Sequence, residues 1–114
     1  MSARSLAARA RNGAPIFAAL GDETRLRLVA RLSEGGPLSI ARLTKGEAMT
    51  RQAITKHLSV LAEAGLVVDV WRGRERLWQL EPAPLATARG YLDLVSQRWD
   101  VSLARLEALV EPDD

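Results

Sequence analysis

The sequence contains no cysteine and a single histidine, His57. The first absence excludes a disulfide framework, a thiolate metal site and a cysteine nucleophile. The second leaves one imidazole, which cannot build a metal centre alone. No motif sets His57 beside a serine, and no glycine-rich phosphate loop is present. No apolar run approaches the roughly 18 residues that a membrane span requires. The apolar stretches near the N-terminus are short and interrupted by Arg4, Arg9 and Arg11, unlike a signal peptide. Internal repeats and low-complexity linkers are also lacking. These absences point to a soluble, cytoplasmic protein that is not an enzyme, carries no cofactor and holds no metal.

What is present suits one small domain spanning residues 1–114, with 47% hydrophobic residues in a chain of 114. The formal net charge is only +2, yet the pI is about 9.7. The gap reflects arginine, which supplies fourteen of the sixteen basic residues. Guanidinium groups stay charged and bind phosphate bidentately, so the excess fits nucleic acid. Its distribution is more telling than its sum. Arg51, Lys56, Arg72, Arg74 and Arg76 cluster mid-chain, whereas Glu111, Asp113 and Asp114 crowd the C-terminus.

The stretch from Thr50 to Leu80 carries the most information. Thr50 is a good N-cap, because its hydroxyl can accept a bond from a free first-turn N–H. Ile54, Leu58 and Leu61 recur at i, i+4 and i+7 and share one face. Arg51, Gln52, Thr55, Lys56 and Ser59 fall on the other, with no carboxylate until Glu63. Gly65 stops the helix. A strand Leu66–Trp71, a turn Arg72-Gly73-Arg74-Glu75 and a strand Arg76–Leu80 follow. A helix suited to the major groove, followed by a basic hairpin, is the layout of a winged helix-turn-helix.

Upstream, residues 2–11 read as a short amphipathic helix or an arm, broken at Asn12-Gly13-Ala14-Pro15. Ile16–Leu20 reads as helical. Asp22 then caps a second helix, with Leu26, Val29, Ala30 and Leu32 as its buried face and Arg25, Arg27 and Arg31 around it. Gly35-Gly36-Pro37 ends it. Ser39 caps a short third helix with Ile40 and Leu43 inward, and Lys45–Met49 is the turn before Thr50. Downstream, the prolines after Glu81 seed a helix from about Leu85 to Val110. Its apolar residues Leu92, Val95, Trp99, Leu103, Leu106 and Val110 step by three or four. The fold class is thus mainly α, about five helices with a two-stranded wing. A stripe this long exceeds what a domain of this size can cover, so a subunit interface is expected.

Three blocks resemble the ArsR family of bacterial winged-helix repressors: Leu20-Gly21-Asp22-Glu23-Thr24-Arg25-Leu26-Arg27-Leu28, then Thr50–Val67 with its His57-Leu58 pair, then Gly73-Arg74-Glu75-Arg76-Leu77-Trp78-Gln79-Leu80. The last helix, with Trp99, resembles a branch without metal-sensing residues. The resemblance implies a homodimer that binds an operator and represses transcription, with residues 16–80 as the DNA-binding core and residues 1–20 and 85–110 as dimerisation helices. Many members release DNA on binding metal. One family site uses two cysteines on the helix before the recognition helix, and the matching positions here are Ser39 and Ala41. Another uses Asp, His and Glu on the last helix, which here has no histidine. The metal role does not carry over.

The expected DNA-binding residues are Thr50, Arg51, Gln52, Thr55 and Lys56 on the helix and Arg72, Arg74 and Arg76 on the wing. Arg and Lys suit guanine O6/N7 and Gln suits adenine N6/N7. The bland readings are a solvated helix face and edge-strand charges that block aggregation. His57 is expected to make a hydrogen bond at the helix flank, Trp78 to be core and Trp99 to be interface, while Trp71 is left undecided. Asp93, Asp100 and Glu107 are spaced by seven residues, about 10 Å apart along a helix, too wide for one ion. Double-stranded DNA and a second copy of the chain are the expected partners. A small-molecule effector at the dimer interface is compatible with this reading but unidentified, and a protein-assembly module without DNA binding is the rival.

Overall fold

The computed structural model describes residues 3–110. The elements run α1 (Ala3–Leu20), α2 (Glu23–Gly35), β1 (Leu38–Ser39), α3 (Ile40–Thr44), α4 (Arg51–Glu63), β2 (Val67–Arg72), β3 (Glu75–Leu80) and α5 (Pro82–Val110). The helix boundaries follow local chemistry. Asp22 Oδ2 accepts from the Arg25 amide at 3.1 Å, Ser39 Oγ from Arg42 at 3.2 Å, and Thr50 Oγ1 from Ala53 at 3.1 Å. Each cap satisfies a first-turn donor with no partner inside its helix, worth about 1 kcal/mol. Helix α4 ends in a Schellman turn. The Gly65 amide bonds to Ala62 O and the Leu66 amide to Leu61 O, both at 2.9 Å. Gly65 has φ +77°, a conformation that a side chain would strain. Leu61 and Leu66 are both fully buried, the apolar contact that accompanies this motif.

The core joins all five helices to the sheet: Ile16 and Ala19 of α1, Leu28 and Leu32 of α2, Leu43 of α3, Ile54, Leu58 and Leu61 of α4, Val67 of β2, Trp78 of β3 and Ala88 of α5. Trp78 thus takes the expected core position.

Several expectations are corrected. The break at Asn12–Pro15 is absent: α1 runs through Gly13 and Pro15 without interruption. Tertiary packing overrides weak local propensity here. Helix α5 lies along α1, with Phe17 edge-on to Tyr91 at 5.8 Å between ring centroids, and Ile16 and Ala19 are anchored in the core. In α2 the buried face is Thr24, Leu28 and Leu32, while Leu26 is 52% exposed and Ala30 also lies outside. Leucines occur at both 26 and 28, so periodicity alone left the phase open. The wing is the expected two-stranded hairpin of β2 and β3, and the unforeseen two-residue strand β1 joins it in the order β1-β3-β2, all antiparallel, with Leu38 opposite Trp78 and Ser39 opposite Leu77. A two-residue strand carries no period to read. The hairpin turn tightens to Gly73-Arg74, with Arg72 opposite Glu75. Gly73, at φ +65°, supplies the positive φ that such a turn needs. Helix α5 starts three residues earlier than expected, with Pro82 in its first turn.

Helices α1 and α5 extend away from this core, giving extents of 71 × 28 × 20 Å. Every residue from Val95 to Val110 is exposed. No helix among the described residues is long and apolar enough to cross a membrane.

Candidate nucleic-acid interface

Helix α4 is held from beneath by Ile54, Leu58 and Leu61, all fully buried. That anchoring turns Thr50, Arg51, Gln52, Thr55, Lys56 and Ser59 outward, and all six are exposed. Their remaining hydrogen-bonding capacity differs. Thr50 Oγ1 accepts a bond as the cap, which leaves its O–H free to donate to a phosphate. The Thr55 hydroxyl donates to Arg51 O at 2.8 Å and that of Ser59 to Thr55 O at 3.0 Å. Those two side chains therefore present an acceptor lone pair, and Thr55 also a methyl suited to the thymine methyl. Arg51 and Gln52 stand at the amino end of α4, where the helix dipole adds positive potential.

Arg72 and Arg74 are exposed on the wing, Arg74 within the turn itself. Arg76 is placed differently. Its Nε donates to Asp69 Oδ2 at 2.9 Å, and its guanidinium carbon lies 4.7 Å from the centre of the Trp78 ring. It lies flat along the hairpin, partly neutralised, rather than reaching beyond it. Trp71, opposite Arg76 in register, is 66% exposed on the same face. The structure thus separates the wing arginines into two that extend outward and one bound across the strands.

His57 is half-buried at the flank of α4. Its Nδ1 lies 3.2 Å from Arg25 Nη1 and 3.8 Å from Asp22 Oδ2. Arg25 Nε also donates to Ala19 O at 2.5 Å, so one guanidinium joins the end of α1 to α4. The Asp22 carboxyl is held below its ordinary pKa, first by the Arg25 amide bond and then, against some desolvation, by the Arg25 and His57 charges. The sequence showed Arg25, Arg27 and Arg31 only as charges around α2. It carried no signal of what they reach. Among the described residues no group of three His, Asp or Glu side chains could hold a metal ion.

A family model for a helix-turn-helix domain matches residues 20–70. Over 75 residues the chain is 43% identical to an HTH-type transcriptional regulator of Mycobacterium tuberculosis, covering 66% of this chain and 69% of that protein. Over 95 residues it is 33% identical to the arsenical resistance operon repressor of Escherichia coli, covering 83% of this chain and 79% of the repressor. An ArsR-like transcriptional regulator from Rhodococcus sp. RHA1 superposes with a TM-score of 0.77 at 34% identity, over 90% of this chain and 96% of that one. The chain belongs to the ArsR family. As an ArsR-family protein it is a DNA-binding helix-turn-helix regulator of transcription. The transcriptional repressor BigR from Xylella fastidiosa shares the fold at a TM-score of 0.65 and 25% identity, over 84% of this chain and 95% of that one.

Proposed function

We propose that this ArsR-family regulator is a cytoplasmic repressor that binds an inverted-repeat operator as a two-fold homodimer. The observation that carries the reading is the outer face of α4. It is exposed, bears Arg51 and Lys56, has no carboxylate before Glu63, and is fixed by a buried opposite face. Arg51, Gln52, Thr55 and Lys56 meet base edges or phosphates in the major groove, Thr50 a phosphate. Arg72 and Arg74 reach the flanking backbone, and Arg76 contributes charge through its place on the wing. Repression is the role named for the relatives from Escherichia coli and Xylella fastidiosa.

The dimer reading rests on α5. Leu92, Val95, Trp99, Leu103, Leu106 and Val110 are all exposed. The first five are symmetric about Trp99, at seven and four residues before it and four and seven after. Reversing the helix leaves that pattern unchanged, so an antiparallel second copy meets it like to like. In this division residues 16–80 bind DNA, and α1 with residues 85–110 holds the dimer.

The test is fluorescence anisotropy of labelled duplexes, with the site obtained by selection from a random library, measured across salt. Specific binding with a steep negative salt slope is expected. Absence of salt-sensitive binding would refute the reading and favour a protein-assembly module.

A further inference from the structure

Helix α2 does more than fill the core behind α4. The guanidinium of Arg31 sits at the end of α3. Its Nη1 donates to Leu43 O at 2.7 Å and its Nη2 to Arg42 O at 2.7 Å, with Lys45 O at 3.4 Å from Nη1. Carbonyls at a helix C-terminus lack partners within the helix. One planar fork serves several of them, which the single ammonium of lysine cannot reproduce.

Arg27, one turn earlier, takes the next segment. Its Nη2 donates to Glu47 Oε1 at 3.0 Å, while Nη1 holds Glu23 Oε2 at 2.8 Å. Glu47 lies in the turn between α3 and α4, and its side chain is only 9% exposed. The Arg27 bond, working against desolvation, holds the Glu47 carboxyl below its ordinary pKa.

The backbone of this turn makes two bonds of its own, from the Lys45 amide to Ala41 O at 3.2 Å and from the Glu47 amide to Thr44 O at 3.0 Å, and its side chains add little to them. Lys45, Gly46 and Ala48 are exposed, and Gly46 has φ +85° with open space around it. Met49 is its one apolar side chain on the core. Three residues after Glu47 comes Thr50, the cap of α4.

We propose that Arg31 and Arg27 are positioning residues for DNA recognition. From α2 they clamp the end of α3 and the helix-turn-helix turn, and so set the angle at which Arg51 and Gln52 are presented, without touching DNA. The proposal rests on the reading of α4 as the DNA-reading helix. The core supplies the stability of the pair of helices. The clamp supplies its precision, which base-edge hydrogen bonds require to within a fraction of an ångström.

The experiment uses the full chain carrying Arg31→Lys, Arg27→Gln, Glu47→Gln, or the last two together. Arg31→Lys keeps the charge, and the double variant keeps the net charge. Each is titrated against the selected duplex and a scrambled duplex of equal length across salt, with the folded fraction measured at the assay temperature. On the selected duplex each single variant should lose about tenfold in affinity, with the scrambled duplex and the salt slope of Arg31→Lys unchanged. The double variant should lose no more than the worse single one, because both changes break the same bond. Affinity for the selected duplex equal to wild type would overturn the proposal. So would equal losses on both duplexes that track the folded fraction, which would mean stability alone. A shallower salt slope for the Arg27→Gln, Glu47→Gln double variant on both duplexes would also overturn it, by revealing a direct phosphate contact from Arg27. If the wild type itself did not prefer the selected duplex, the reading of α4 would fall first, an outcome distinct from failure of the variants alone.

Discussion

Trp99 offers the sharpest test of how this chain assembles. Its side chain stands on α5 with 62% of its area exposed, midway along the apolar stripe. An indole side chain buries up to about 250 Å² when fully covered. Covering the exposed part at about 25 cal/mol per Å² is worth roughly 4 kcal/mol. The residue occurs twice in a two-fold dimer. With only half of that area covered by the partner, the pair still contributes about 4 kcal/mol, close to a thousandfold in the dimer Kd. Trp99→Ala removes most of this without adding charge. Trp99→Asp also places a carboxylate in the interface, and a desolvated, unpaired charge costs several kcal/mol more. Trp99 makes no contribution to the buried core, so both variants should keep the secondary structure and melting cooperativity of the folded chain. Sedimentation velocity from nanomolar to high micromolar concentration reads the result. Wild type should be dimeric at micromolar concentration, and both variants should shift to monomer there. A wild-type monomer at that concentration, or dimerisation of Trp99→Asp with wild-type affinity, would refute the reasoning.

Other predictions concern binding and pH. Arg51→Ala should cost about 1–3 kcal/mol and relax one base position, whereas Arg74→Ala should weaken all sequences alike and reduce the salt slope by about one. Wild-type affinity and salt dependence in both variants would contradict the assignment. Glu47 titrates below its ordinary value of 4.5 in the folded protein because of Arg27. Its stabilisation is therefore complete above 4.5 and lost as pH falls through the lower folded value. Urea midpoints measured from about pH 6 to about pH 3 should show a wild-type advantage over Glu47→Gln that shrinks with acid. A pH-independent gap would count against the ion pair. Operator binding should not respond to zinc, cadmium or nickel. These metals need three or four thiolate or imidazole ligands, and a dimer of this chain offers two imidazoles. On DNA the two recognition helices must also lie roughly 34 Å apart, too far for their imidazoles to share an ion. A reproducible tenfold change at micromolar metal would point to a carboxylate site across the interface.

Local chemistry was legible residue by residue. Thr50, Asp22 and Ser39 announce helix starts because a cap depends on a side chain and an amide three residues on. Gly65 announces a stop because only glycine accepts its φ without strain. The inner face of α4 follows from Ile54, Leu58 and Leu61, and the cationic outer face follows from what remains. The wing was readable from the Arg72-Gly73-Arg74-Glu75 turn between the short runs Leu66–Trp71 and Arg76–Leu80. Each of these signals lies within one turn of helix or one hairpin, where the sequence neighbours are also the spatial neighbours.

The rest depended on partners distant in the chain. Whether α1 continues through Gly13 and Pro15 depends on α5, some seventy residues later. The phase of α2 depends on which of its leucines meets α1, α4 and β3. Strand β1 exists only because β3 lies beside Leu38 and Ser39. Arg76 looked like its wing neighbours until Asp69 and Trp78 were placed around it. Arg25, Arg27 and Arg31 looked interchangeable, yet one reaches His57, one Glu47 and one the carbonyls of α3. By itself the sequence determined a capped helix with a cationic outer face and the hairpin that follows it, because caps, glycines and apolar periods are local physics. Only the tertiary structure decided which charges stand exposed and which hold the fold together, because a guanidinium finds its partner in space, not in sequence.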